Sequence, residues 1–91
     1  MSDFTPVDAE SARMLRAIFD ECERGTEKHG DFASLHEGYA VIKEEFDELW
    51  DEIKERDYSL ERLEEEATQV AAMAFKFLHL LRRIRRDLMG E

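Results

Sequence analysis

Residues 60–88, LERLEEEATQVAAMAFKFLHLLRRIRRDL, carry the pattern that decides the fold. Leu60, Leu63, Ala67, Val70, Ala74, Phe77, Leu81, Ile84 and Leu88 recur at alternating steps of three and four residues. That spacing lines one side of an α-helix with apolar groups. Ser59 ahead of it suits an N-cap and Gly90 behind it suits a stop, so a helix is predicted over residues 59–89. At 1.5 Å per residue it is roughly 45 Å long. Ala67, Ala71, Ala72 and Ala74 keep its middle slim and permit close helix approach.

The preceding segment repeats the pattern. Leu35, Tyr39, Ile42, Phe46, Leu49 and Ile53 form a second seam, opened by the capping box of Ser34 and Glu37, and predict a helix over residues 35–56. Phe46 is expected in the core, and Trp50, at the seam edge, at an oligomer interface. Nearer the N-terminus, Thr5 as N-cap, Pro6 at the first position and Asp8 in the first turn predict a helix over residues 6–24. Met14, Leu15, Ile18 and Cys22 supply its apolar side, Gly25 its stop, and residues 25–33 the loop that follows. No strand-like alternation or internal repeat interrupts this series. The expectation is an all-α, three-helix bundle forming a single domain over residues 1–91. The third helix is longer than the second can cover, so its far end needs the first helix or another subunit.

Composition narrows the function. A chain of 91 residues with a formal charge of −10 disfavours nucleic acid as a partner, since binding there depends on Lys and Arg neutralising phosphates. The same charge favours cations. Cys22 is the single cysteine, which excludes an intramolecular disulfide and fits a reducing, cytoplasmic setting. Residues 1–4 have neither a basic start nor an apolar run, so no signal peptide is expected. Residues 70–81 are interrupted by Lys76 and His79 and are too short to span a bilayer, so no membrane is expected either.

Two acidic strings stand out, Glu44-Glu45-Phe46-Asp47-Glu48 on the second helix and Glu66-Ala67-Thr68-Gln69 on the third. At 100° per residue, Glu45 lies about 60°, Glu52 about 80° and Glu48 about 120° to one side of Ile42. Glu66 and Gln69 fall about 40° and about 100° to one side of Val70. Asp47 and Asp51 face away, and Glu44 points outward. An acidic string alone reads as a solvated face. Two of them at matching flanks of adjacent helices bring carboxylates together, and like charges that converge need a cation. A hard-metal site is therefore expected.

At this point residues 36–50 and 65–74 resemble the MazG-type all-α nucleoside triphosphate pyrophosphohydrolases, whose hallmark is EExxE on one helix and ExxD on the next. The resemblance covers roughly residues 30–80. It implies Mg²⁺ (or Mn²⁺) held by Glu45, Glu48 and Glu66, with Glu44 as the motif's opening acid. It also implies hydrolysis of a nucleoside triphosphate to the monophosphate and pyrophosphate, a house-cleaning role, and a homodimer or homotetramer. Glu45 or Glu48 is the candidate catalytic base. Gln69 stands where the motif has Asp. Its amide oxygen ligates more weakly than a carboxylate. The site then works with three carboxylates, recruits Glu52 or Glu65, or has become an inactive nucleotide-binding or interaction module.

Other residues read more plainly. His36 is expected at the surface, and Lys28 and His29 in a solvated loop. Met73 fits either the core or a pocket wall, and Cys22 the core. The basic run of residues 82–86 is expected to sit favourably at a helix C-terminus.

Overall fold

The computed structural model describes residues 8–90 and contains three α-helices, with no strand among the described residues. They are α1 (Ala9–His29), α2 (Leu35–Lys54) and α3 (Leu60–Met89). Each starts on a side chain that accepts from an otherwise unpaired N–H of the first turn. Asp8 Oδ1 accepts from Ser11 N–H at 2.7 Å, Ser34 Oγ from Glu37 N–H at 3.1 Å and Ser59 Oγ from Arg62 N–H at 3.2 Å. Glu37 Oε1 reaches back to Ala33 N–H at 2.6 Å, one residue beyond the reciprocal bond of a capping box. Gly90 closes α3 in the left-handed conformation, φ 74°.

Two expected boundaries move. Thr5 and Pro6 lie outside the described residues, and the observed cap is Asp8. α1 does not stop at Gly25 but continues to His29, ending at Gly30 with φ 77°. A lone glycine costs a helix about 1 kcal/mol relative to alanine. Packing of the flanking turns on α3 offsets that, with Cys22 buried and Gly25 and Thr26 half-buried.

α3 is the axle of the molecule. α1 and α2 each pack against it and not against one another. α2 runs antiparallel to α3, with Gly38 against Phe77 near one end and Glu52 against Arg62 near the other. Phe19 of α1 meets Phe75 of α3 edge to face at 6.4 Å. The core comprises Cys22, Phe32, Ala72, Met73 and Leu80, bordered by Ile18, Val41, Ile42, Phe75, Phe77 and Ile84. Arg83 pins the α1–α2 connection to α3: Nη2 donates to the Phe32 carbonyl at 2.7 Å and Nη1 pairs with Asp31 at 3.4 Å. This member of the basic run thus holds a tertiary contact as well as sitting near a helix end.

The apolar seams coincide with this core only in part: Ile42, Phe77 and Ile84 pack against it, while other seam positions lie outside. Tyr39 is 65% exposed, Phe46 54% and Leu88 83%, and Leu35, Ile53, Leu60, Ala67, Ala74 and Leu81 are exposed too. Phe46, expected inside, is outside. The inward faces are instead Gly38, Val41, Glu45 and Glu52 on α2, and Ala72, Met73, Lys76 and Leu80 on α3. Close approach explains the rotation. Ala72 has no exposed surface, and Gly38 sits so near Phe77 that there is no space for a side chain between them. Small residues, rather than the longest apolar stripe, set where these helices meet. No described helix is long and apolar enough to cross a membrane.

Gly38→Ala tests this contact. On an open helix face the change would stabilise by about 1 kcal/mol. Here the new Cβ would overlap the Phe77 ring. We expect destabilisation of about 1–3 kcal/mol, as for other overpacked cores. In thermal denaturation, an unchanged or raised Tm would refute the close contact.

Candidate metal centre

The rotation of α2 turns its acidic flank toward α3. Glu44, Glu45 and Glu48 each offer a carboxylate oxygen within 4.8 Å of the other two, an arrangement that i, i+1 and i+4 spacing on one helix allows. Glu45 is half-buried. Burial first, then the Glu48 charge and a hydrogen bond with Glu48, push its carboxyl up to about 7, with Glu66 and Glu44 adding to the effect. Glu66 of α3 is raised by burial and again by Glu48. Glu45, Glu48 and Glu66 therefore form one electrostatic group, on the flanks where the sequence spacing puts them. Glu44 is exposed, as expected, yet its carboxylate joins the cluster.

One atom is decisive for the chemistry of this group. Glu66 Oε2 is fully covered and has no hydrogen-bond partner among the described residues. Leaving such an acceptor unsatisfied costs about 1–3 kcal/mol. Hard oxygen donors gathered at the border of a core, one of them stripped of water, fit a Mg²⁺-like divalent cation. The cluster that could hold such an ion is Glu44, Glu45 and Glu48; Glu66 is coupled to it electrostatically, and half-buried Gln69 lines the same cavity as Glu44 and Glu45.

The other acids have different surroundings. Glu52 is 7% exposed, with both oxygens engaged. Oε1 lies 3.2 Å from Arg62 Nε and Oε2 accepts from Ser59 N–H at 2.9 Å, tying the end of α2 to the start of α3. Glu65 is exposed, in a groove shared with Asp20 and Arg24. Asp47 and Asp51 pair with Lys43 at 3.0 Å and Lys54 at 3.3 Å on the solvent side.

Because α1 and α2 do not touch, a cavity of about 470 Å³ remains between them above α3. Glu44 and Glu45 stand on its α2 wall, Arg24 and Lys28 on its α1 wall, and Gln69, Met73 and Lys76 along α3. A separate cleft of about 400 Å³ is lined by Glu48, Glu52 and Glu66 together with Arg62. The carboxylate group thus separates two openings. Lys28 and His29 are not loop residues but form the last turn of α1, at the cavity. Met73 is both buried in the core and part of the cavity lining. His36 is exposed, and Cys22 is a core thiol raised by burial. Lys76 is the residue that sequence reading passed over. Its signal was present as the lysine that breaks the apolar run of residues 70–81.

The raised Glu45 carboxyl predicts a pH dependence. In the window between its ordinary value of 4.5 and about 7, the folded protein holds a proton that the unfolded chain releases. This contribution to stability is fully present below the lower value and is lost as pH rises through the upper one. Without divalent cations, Tm should fall from pH 5 to pH 7.5, and Glu45→Gln should flatten that slope. An equal slope in the variant would remove Glu45 as its source.

Comparison with protein-family models, with curated proteins and with solved structures finds no match to this chain.

Proposed function

We propose that this chain is a Mg²⁺-dependent nucleoside triphosphate pyrophosphohydrolase, releasing the monophosphate and pyrophosphate, that works as a homo-oligomer in the cytoplasm. The observation that carries the reading is the Glu44, Glu45 and Glu48 cluster, with oxygens within 4.8 Å, coupled electrostatically to Glu66 and its unpartnered covered oxygen. The resemblance of the two acidic strings to the MazG-type motifs gives the reaction class, and the adjoining cavity gives room for part of a nucleotide.

Glu45, Glu48 and Glu66 hold the ion in this reading, with Glu44 and the Gln69 amide completing the donor set. Bound there, Mg²⁺ would supply a Lewis acid that neutralises charge gathering on the phosphates. Glu45 or Glu48 takes the proton of the attacking water as the α–β phosphoanhydride bond breaks and pyrophosphate leaves with the bonding electrons. Glu52 remains structural.

A second reading is favoured by two observations. Gln69 is neutral, and apolar stripes lie exposed on α2 (Tyr39, Phe46, Trp50) and α3 (Leu78, Leu81). A non-catalytic helical interaction module would use the exposed stripes and would have no need of a fourth carboxylate. Pyrophosphate release over a panel of standard and modified nucleotides, with Mg²⁺ or Mn²⁺, separates the two. For the enzyme we expect turnover that drops by about 10²-fold or more in Glu45→Gln and rises in Gln69→Asp. Absence of both turnover and calorimetric Mg²⁺ binding would leave the interaction module.

The exposed stripes also support a homodimer or homotetramer, because a chain of this size buries a smaller share of its surface alone than a larger domain does. Light scattering should then return a multiple of the chain mass, shifted toward the monomer by Phe46→Glu. A monomer at all concentrations would overturn the assembly.

A further inference from the structure

Lys76 is 5% exposed and lines the cavity between α1 and α2. It takes part in none of the ion pairs of the described residues, and in none of their side-chain hydrogen bonds. Its ammonium lies 4.5 Å from the centre of the Phe32 ring, which also lines the cavity. Its stem is buried while its ammonium reaches the cavity with no carboxylate paired to it, and an aromatic face supplies only part of what a counter-ion would. A methionine would fill the same space without the charge.

The neighbouring charges are distributed unevenly. Arg24 is paired with Glu21, and Asp31 with Arg83. Lys28 and His29 of α1 join no ion pair of the described residues, whereas Glu44 and Glu45 lie on the α2 side. Once the internal pairs are set aside, free cationic groups on α1 and α3 face free carboxylates on α2 across one cavity. A lone cation or a lone anion would satisfy one wall only. A metal-bound polyphosphate satisfies both, its cation on the carboxylates and its oxygens on the ammonium groups.

We infer that this cavity is a polyphosphate compartment in which Lys76, assisted by Lys28 at α1, binds the anionic phosphate oxygens of a metal-bound di- or triphosphate. The inference rests on the metal reading above for the cation, and adds the residue that recognises the anion. Lys76 is placed by the α1–α2 separation, since a bundle closed between those helices would leave it no ligand to meet.

The test uses the full chain, Mn²⁺ alone followed by electron paramagnetic resonance, and the 1:1 manganese–pyrophosphate complex followed by calorimetry. For Lys76→Met we expect at least tenfold weaker binding of the complex, with Mn²⁺ affinity within about twofold of wild type. Lys28→Ala should weaken the complex by less. The Tm of ligand-free Lys76→Met should stay level or rise, because an apolar side chain fills the same space without an unpaired charge. A purely structural lysine would lower it. Lys76→Gln provides the same comparison if the methionine variant does not fold. Equal affinity of wild type and Lys76→Met for the complex overturns the inference, as does a metal-loaded wild type that takes no pyrophosphate. If wild type binds no Mn²⁺, the metal reading fails separately. Pyrophosphate in metal-free buffer then decides: binding lost in Lys76→Met upholds the phosphate site, and no binding or equal binding refutes it.

Discussion

The structure depends on α3 serving as the shared support of two helices that do not meet. A helix of 30 residues offers enough length and circumference for α1 and α2 to dock on different faces. Docking is closest where side chains are smallest, at Ala72 and at Gly38 against Phe77. A gap between α1 and α2 follows from that geometry, and so does the orientation of everything lining it. The cavity is a consequence of packing two helices on one, and the acids, the lysine and the capped end of α1 are the groups that this packing delivers to it.

The interior that results is unusually polar for so small a domain. Glu52 and Lys76 are buried, Glu45, Glu66 and Gln69 are half-buried, and Tyr39, Phe46 and Trp50 lie outside. The buried charges are treated in two different ways. Glu52 has an arginine and a backbone donor, and it joins two helices. Glu45, Glu48 and Glu66 face chiefly one another, and Lys76 faces a ring and a cavity. Satisfied buried charge reads as architecture. Charge left unsatisfied in the folded chain reads as a place for a ligand, which is the physical basis of the function proposed for this centre.

The exposed apolar stripes belong to the same trade. With the acidic flanks turned inward, the far edge of each neighbouring seam turns outward, Tyr39 and Phe46 on α2 and Leu81 and Leu88 on α3, while Ile42, Phe77 and Ile84 stay packed on the core. An assembly that covers those seams would bury apolar surface that the isolated chain leaves in water, without disturbing the carboxylates. Association and chemistry would then occupy neighbouring faces of the same helices.

Much of this was legible in the residues alone. Local rules act over three or four positions, so the spacing of apolar groups and the caps Ser34, Ser59 and Gly90 determined three helices, with α2 and α3 nearly to their ends. The same spacing identified Glu45, Glu48 and Glu66 as groups on matching flanks, and placed Asp47 and Asp51 toward solvent. What the tertiary structure alone decided was which side of each helix faces inward. That choice depends on close approach between residues far apart in the chain, Gly38 with Phe77 above all, and periodicity has no access to it. For that reason Phe46 moved outside and Glu52 became a structural tie. For the same reason Gly25 lies within a helix, and Lys76, an interruption in an apolar run, became the buried cation of a cavity made by three separate segments.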